Sequence, residues 1–419
     1  MPVFALVDCN NFYVSCERLF RPDLRRRRVV VLSNNDGCVV ARSQEVKALG
    51  IKMGTPVFQI RHLIEQHGIV TFSSNYELYA DISNRVMSVL EEFSPHVEIY
   101  SIDEAFLDLS GMQDIEEYGR RIKDTVMRYL RMPVCVGIGP TKTLAKAANW
   151  GAKHYPAVKG VVDLSDPKRQ KRLLNIMPVE DVWGVGRRHA KRLHNMQIDT
   201  ALKLAQTKPK TIRQKFSVVL ERTVYELNGT SCIPLEEISP PQKQMVCSRS
   251  FAERITEFDH MREAVCEFTA RAAAKLRSRK QKASSLCVFI RTSPFDKYHP
   301  YYSNSSQGSF FEATSDTLKM VALAGKLLEN VWKDDQRYAK AGVMLSDLCP
   351  EDEVQKNLLF DEQDTEKSRN LMQAMDKINH SGLGKVYLGS QRKEKEWFMK
   401  RELLSPRYTT RWEDIPVVE

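Results

Sequence analysis

Short apolar runs alternate with longer stretches of helical spacing over the first 165 residues. "VFALVDCN" is an apolar run ending on an acid, the pattern of a buried strand that delivers a carboxylate at its end. "VVVLSNN", Val29 to Asn35, predicts a second strand closed by the turn-like "NNDG". "SQEVKALG" spaces its apolar residues as a helix, with Gly50 placed to end it. "YELYADISNRVMSVLEEF" and "DIEEYGRRIKDTVMRYL" predict two more helices, "PVCVGIG" a strand and "TKTLAKAANWGAK" a further helix. Strands and helices mixed in this way predict an α/β domain.

From Asp166 to Gly229 the strand signal vanishes and short helices dominate, with "VWGVGRRHAKRL" at their centre. "IPLEEISPPQKQ", carrying Pro240 and Pro241, reads as a linker. Beyond it the pattern gives a strand (246–251), a helix (259–279), two strands (284–292 and 309–313), a helix (316–332) and a strand (342–348). That βαββαβ order is the split βαβ arrangement of ferredoxin-like domains. After Pro350 the chain turns polar and ends in a basic, Tyr- and Trp-containing tail.

One ribbon breaks its own pattern. "VEIYSIDEAFLDLSG", Val97 to Gly111, alternates like a strand yet sets Asp103 and Glu104 side by side. Neighbours on a strand point to opposite faces, and burying an unpaired charge is expensive. Both acids share one site if the ribbon is a hairpin with the pair at its tip. Asp8, at the end of the first strand, has the form of a third acid there. Three converging carboxylates repel one another unless hard cations lie among them, and oxygen ligands suit magnesium shared with substrate phosphates. Two such ions clamp the attacking and leaving oxygens of a phosphoryl transfer. An exposed turn with two solvated acids fits the ribbon equally well.

Composition narrows the classes. A chain of 419 residues with 42% hydrophobic and 28% charged positions is ordinary globular material for two to four domains. The net charge of +10 favours a polyanionic partner but does not identify one. The nine cysteines are scattered without a C-x-x-C pair, which argues against a disulfide framework or a structural zinc and fits a reducing cytoplasm. The N-terminus lacks the basic and apolar regions of a signal peptide, and no run approaches the roughly 20 apolar residues of a membrane span. A soluble, cytoplasmic protein with no membrane partner is expected.

"SIDEAFLDL", "DCNNFYVSCE", "VVVLSNNDGCVVAR", "FSSNYELYADISNRVMS", "DVWGVGRR", "VCSRSFAERI", "KAGVMLSD" and "LSPRYTTR" together resemble the Y-family translesion DNA polymerases, and within them the UmuC subgroup, over essentially the whole chain. The resemblance implies a right-hand polymerase of mixed α/β and α+β domains. Its palm would be 1–16 and 76–165, its fingers 17–75, and its helix-hairpin-helix thumb 166–235. A linker at 236–243, a βαββαβ little finger at 244–350 and a C-terminal tail at 351–419 would follow. It makes Asp8, Asp103 and Glu104 the catalytic acids and the ligands of two Mg2+ ions, with Cys9 adding its backbone carbonyl. Tyr13 matches the steric gate, the ring that meets a ribose 2′-hydroxyl. Asn10, Asn11 and Phe12 would border the incoming dNTP and offer backbone amides to its phosphates, while Lys47, Lys153 and Arg42 would contact the triphosphate.

Gly184 and Gly186 allow close approach of backbone to a DNA phosphate, and Arg187 and Arg188 open a basic helix beside them. Arg249 in "CSRSF" is a further candidate contact to the primer-template. Gln355, Leu358 and Phe360 form a Q-x-x-L-x-F pattern similar to the peptides that dock polymerases on the sliding clamp. The resemblance also implies a processed UmuD'-type dimer and RecA as partners, and a part in SOS mutagenesis. Small fingers imply loose selection against mispairs. Two rival readings are a palm-type nucleotidyl cyclase, which needs neither a duplex-binding module nor a clamp peptide, and a repair scaffold with an inactive palm, which would be free to lose an acid.

Overall fold

The computed structural model describes residues 2–237, 241–353, 362–381, 384–389 and 400–416, with backbone alone at 353 and 362–365. The chain divides into two compact units, Met1–Ser239 together with Arg401–Glu419, and Pro240–Lys400.

Unit 1 opens with β1 (Phe4–Cys9) and α1 (Phe12–Phe20). It continues through β2 (Val29–Leu32), β3 (Val39–Arg42), α2 (Gln44–Lys47), α3 (Val57–His67) and β4 (Val70–Ser73). There follow α4 (Tyr76–Glu91), β5 (Val97–Ile99), β6 (Glu104–Asp108), α5 (Ile115–Leu130), β7 (Val134–Gly139), α6 (Lys142–His154) and β8 (Val161–Asp163). The main sheet runs β5-β6-β1-β7-β8, with β1 at its centre, antiparallel to both neighbours. Every β1 residue is buried because helices cover both faces, which is why the strand reads as an unbroken apolar run. Ala5 and Val7 pack with Ile82, Val86, Ile122 and Val126 on one side. Phe4 and Leu6 pack with Phe106 and Ala145 on the other. Asp8 has the parity of Phe4 and Leu6, and so belongs to the α6 face.

A second sheet, β3-β2-β4, carries its own small core of Val30, Leu32, Val39, Val46, Ile51, Ile60 and Ile69. Beyond β8 come five helices, α7 (Pro167–Ile176), α8 (Arg187–His194), α9 (Ala201–Gln206), α10 (Pro209–Lys215) and α11 (Val218–Leu227). They close around Leu174, Leu193, Leu204, Ile212 and Val224, and they include no strand, as their sequence pattern predicts.

Unit 2 contains β9 (Gln244–Ile255), α12 (Phe258–Ser278), β10 (Gln281–Thr292), β11 (Ser303–Thr314), α13 (Thr317–Val331), β12 (Tyr338–Pro350) and α14 (Glu362–His380). Its sheet runs β11-β10-β12-β9, antiparallel throughout. Each β-α-β crossover skips one strand, which is the split arrangement expected from the sequence. The helices α12 and α13 close on the strands around Phe268, Ala272, Leu286, Val288, Met320 and Leu328.

Six elements lie outside the sequence expectation: α1, β3, α3, β4, β8 and α14. Of these, α3 buries only Ile60 fully and leaves Phe58 73% exposed, so its periodic signal is weak. The helix expected over "SQEVKALG" shrinks to the single turn α2, and Gly50 takes a left-handed φ of 76° beyond it. The tail expected as one segment over 351–419 is divided, since Arg401–Glu419 joins unit 1. The expected clamp peptide at Gln355, Leu358 and Phe360 lies outside the described residues, and the expected linker overlaps them only in part.

Candidate active site

β5 and β6 pair antiparallel with Val97 opposite Leu107 and Ile99 opposite Ala105, so the ribbon is a hairpin. Asp103 ends its loop and Glu104 begins β6. The β1–β6 register then sets Asp8 directly across from Glu104, and the Cys9 amide donates to the Asp103 carbonyl at 2.9 Å. Backbone pairing alone thus sets the three acidic residues side by side in the fold. Like charges directly opposite on paired strands are destabilising, so the fold supplies cations. Lys153 of α6 reaches Asp8 Oδ2 at 2.6 Å, and Lys146, two turns earlier, pairs with Glu104. Asp103 accepts from Ser101 Oγ at 2.6 Å.

Burial pushes Asp8 up to about 6; Lys153 opposes the rise, and the charges of Glu104 and Asp103 add to it. A carboxylate held this reluctantly gains most from an added cation. The Cys9 thiol is buried and pushed up by that burial, so only its carbonyl is suited to a metal. Among the described residues no three acids, histidines or cysteines are gathered as a ready metal cluster, and Glu104 and Asp8 instead pair with Lys146 and Lys153 of α6. An all-oxygen donor set of this kind suits magnesium, which keeps several of its waters.

A cationic wall borders Asp8. Burial holds Lys47 below its ordinary range, and the charges of Arg42 and Lys153 add to the depression while Asp8 opposes it. Three basic side chains from β3, α2 and α6 therefore converge. The Nε of Arg42 is buried without a partner among the described residues, which leaves a donor for an anion. At the head of α1, Asn11 takes a left-handed φ of 50° and turns the chain from strand into helix. The amides of a helix's first turn have no partner within the helix. The expected donor set of Asn10, Asn11 and Phe12 is narrower than supposed, because the Asn10 amide donates to the Pro133 carbonyl at 2.8 Å. Phe12 is a core residue, 3% exposed.

Tyr13 lies half-buried on α1, stacked on Tyr79 of α4 with centroids 4.5 Å apart and planes 17° apart. Tyr76 meets it edge-on at 6.4 Å. Asp103 and Tyr76 add to the burial that raises its phenol.

Gly184, with a left-handed φ of 87°, and Gly186, at the N-cap of α8, shape the turn before that basic helix. Arg187 and Arg188 form its exposed first turn. In unit 2, Arg249 sits in β9 opposite Ala341.

Sequence reasoning missed several residues that hold this site. Lys146 sits over the rings of Tyr100 (4.3 Å) and Trp183 (5.6 Å), a cation–π setting that fixes the ammonium beside Glu104. Lys142, 1% exposed, pairs with Glu98 and donates to the Pro234 carbonyl at 2.7 Å. Their i, i+4 spacing on the predicted helix was the available signal. A cavity of about 1010 Å³ lined by Glu116, Arg120, Tyr155, Arg169 and Arg172 lies elsewhere in unit 1 and includes none of the expected site residues.

Residues 7–149 match the impB/mucB/samB family, 242–358 match that family's C-terminal domain, and 369–418 match a domain of unknown function, DUF4113. The chain is 52% identical to protein SamB of Salmonella typhimurium over 100% of both chains. It is 51% identical to protein UmuC of Salmonella typhimurium strain LT2 over 99% of each. It is 26% identical to DNA polymerase IV of Pelotomaculum thermopropionicum, over 89% of this chain and 91% of that one. In fold it is similar to a Y-family DNA polymerase chimera of Dbh and Dpo4, with a TM-score of 0.68 at 20% identity, covering 83% of this chain and 99% of the chimera.

Proposed function

Since the chain belongs to the impB/mucB/samB family, the UmuC-type Y-family DNA polymerases, and is a DNA-directed DNA polymerase, we propose that it copies damaged template by two-metal nucleotidyl transfer in the SOS DNA-damage response. The observation that carries this reading is the register placing Asp8 against Glu104 with Asp103 one residue away. Asp8, Asp103, Glu104 and the Cys9 carbonyl would hold two Mg2+ ions. Such ions supply charge neutralisation at the attacking and leaving oxygens.

The chain's own residues divide the remaining work. Arg42, Lys47 and Lys153 bind the triphosphate and hold it as charge moves among its oxygens. Lys153 and Lys146 balance the acids from the α6 side. Tyr13 fills the space a ribose 2′-hydroxyl would need. Gly184, Gly186, Arg187, Arg188 and Arg249 hold the duplex backbone, a sequence-independent grip suited to irregular templates. The small core of the β3-β2-β4 sheet supports loose selection against mispairs. A sliding clamp, a UmuD'-type dimer and RecA are partners on this reading, and the cytoplasm is its setting. No described helix is long and apolar enough to cross a membrane.

The polymerase assignment displaces both the cyclase and the inactive scaffold. Asp103→Ala should abolish primer extension, by on the order of a thousandfold or more if charge stabilisation at the reacting oxygens is lost, while primer-template binding stays within about twofold by anisotropy. Retained extension in that variant would remove the metal assignment.

A further inference from the structure

The C-terminal residues 401–416 lie against the gate side of unit 1. The Leu403 amide donates to Ser73 Oγ at 3.0 Å, and the Ser73 amide donates to the Leu403 carbonyl at 2.9 Å, which ties the segment to the end of β4. Asn75, the N-cap of α4, donates its side-chain amide to the carbonyl and Oγ of Ser405, both at 3.0 Å. Tyr408 stacks on Phe20 of α1 with centroids 4.5 Å apart. Arg407 pairs with Glu77 at 3.2 Å.

These contacts lead to one buried carboxylate. Glu17 is 0% exposed on α1, one turn beyond Tyr13. Its Oε1 accepts from Ser405 Oγ at 3.0 Å and from the Tyr79 hydroxyl at 2.6 Å. Tyr79, itself 0% exposed, is the ring on which Tyr13 stacks. A charged acceptor makes such bonds shorter and stronger than neutral ones. The tilt of Tyr79, and with it the floor under Tyr13, is thus fixed from behind by a residue near the end of the chain.

We propose that Ser405, Glu17 and Tyr79 are positioning residues that set sugar discrimination, and that the segment 401–416 belongs to the nucleotide pocket's supporting layer. This rests on Tyr13 being the gate, and it gives a function to part of the stretch matching a domain of unknown function. Loss of one hydrogen bond in the chain Ser405–Glu17–Tyr79 lets the Tyr79 ring tilt, the Tyr13 ring recede, and a 2′-hydroxyl enter.

The test is single-nucleotide insertion by the full chain, in the assembly in which the parent protein extends primers, with dNTP and rNTP in parallel. Tyr79→Phe and Ser405→Ala should each lower the dNTP-to-rNTP ratio of kcat/KM by about three- to tenfold, the worth of one hydrogen bond. The change should appear as a lower KM for rNTP with dNTP insertion retained. A fold weakened in general lowers both activities together and leaves the ratio fixed, so partial misfolding cannot imitate the result. Tyr13→Ala run alongside separates the two readings. If it shifts the ratio and neither Tyr79→Phe nor Ser405→Ala does, the brace is refuted and the gate stands. If Tyr13→Ala itself leaves the ratio unchanged, the gate fails and the brace falls with it.

Discussion

Single residues show most clearly what a pattern of letters can and cannot carry. Asp8, Asp103 and Glu104 stood out because acids interrupt apolar runs, and interruption is visible in one dimension. Glu17 did not stand out. It lies in a helix whose composition tolerates an acid, and only the fold reveals that it is fully buried beside Tyr79 and Ser405. That burial has a thermodynamic consequence. Desolvation lifts the Glu17 carboxyl from an ordinary 4.5 to about 6, against hydrogen bonds from Tyr79 and Ser405 that lower it. Below 4.5 both folded and unfolded chains hold the proton, so ionisation costs the fold nothing. As pH rises through about 6 the folded form must give the proton up at a cost of roughly 2 kcal/mol. Glu17→Gln removes that titration and keeps an acceptor oxygen. The stability of the parent minus that of Glu17→Gln should therefore fall by about 2 kcal/mol between pH 4 and pH 7.5 in denaturant titrations. A difference that stays level across that range would mean the carboxyl is not desolvated.

At the level of elements, legibility followed burial on both faces. β1 and β7 are continuous apolar runs, and α4 and α5 carry a full helical period, so all four were foreseen within a few residues. β3, β4 and β8 are only three or four residues long, too short for any period to declare itself. The close seating of α6 on β7 was likewise invisible, although a glycine marks it. A Cβ on Gly137 would lie 2.1 Å from the Asn149 amide nitrogen and 2.3 Å from the Ala145 carbonyl oxygen. Both are helix backbone and cannot step aside. The same seating fixes how far Lys146 and Lys153 reach toward Glu104 and Asp8. Gly137→Ala should destabilise unit 1 by more than about 3 kcal/mol, beyond the usual cost of overpacking. Gly325→Ala in α13, where nothing lies within 4 Å of the added carbon, should instead add roughly 0.5–1 kcal/mol from helix propensity. Equal effects of the two substitutions would show that the close approach is not there.

Over the whole molecule, the sequence foretold several domains and a polyanionic partner, but not that the final residues return to the first unit. A return across some 160 intervening residues leaves no local pattern, because the contacts pair Leu403 with Ser73 and Ser405 with Asn75, far apart in the chain. The charge of +10 likewise names a class of partner without locating the contact. On the proposed function that contact is the exposed first turn of α8, where Gly184 and Gly186 remove side chains and Arg187 and Arg188 are exposed beside a helix N-terminus. Neutralising a phosphate releases counterions, so each such contact contributes about 0.9 to the slope of log affinity against log salt. Replacing both arginines, Arg187→Ala with Arg188→Ala, should make that slope shallower by nearly 2 in primer-template titrations spanning roughly 50 to 200 mM salt. The loss of affinity should be the same for unrelated template sequences, because backbone contacts carry no base information. An unchanged slope would place the duplex grip of this unit elsewhere than the glycine turn, and a loss confined to particular sequences would mean that α8 reads bases.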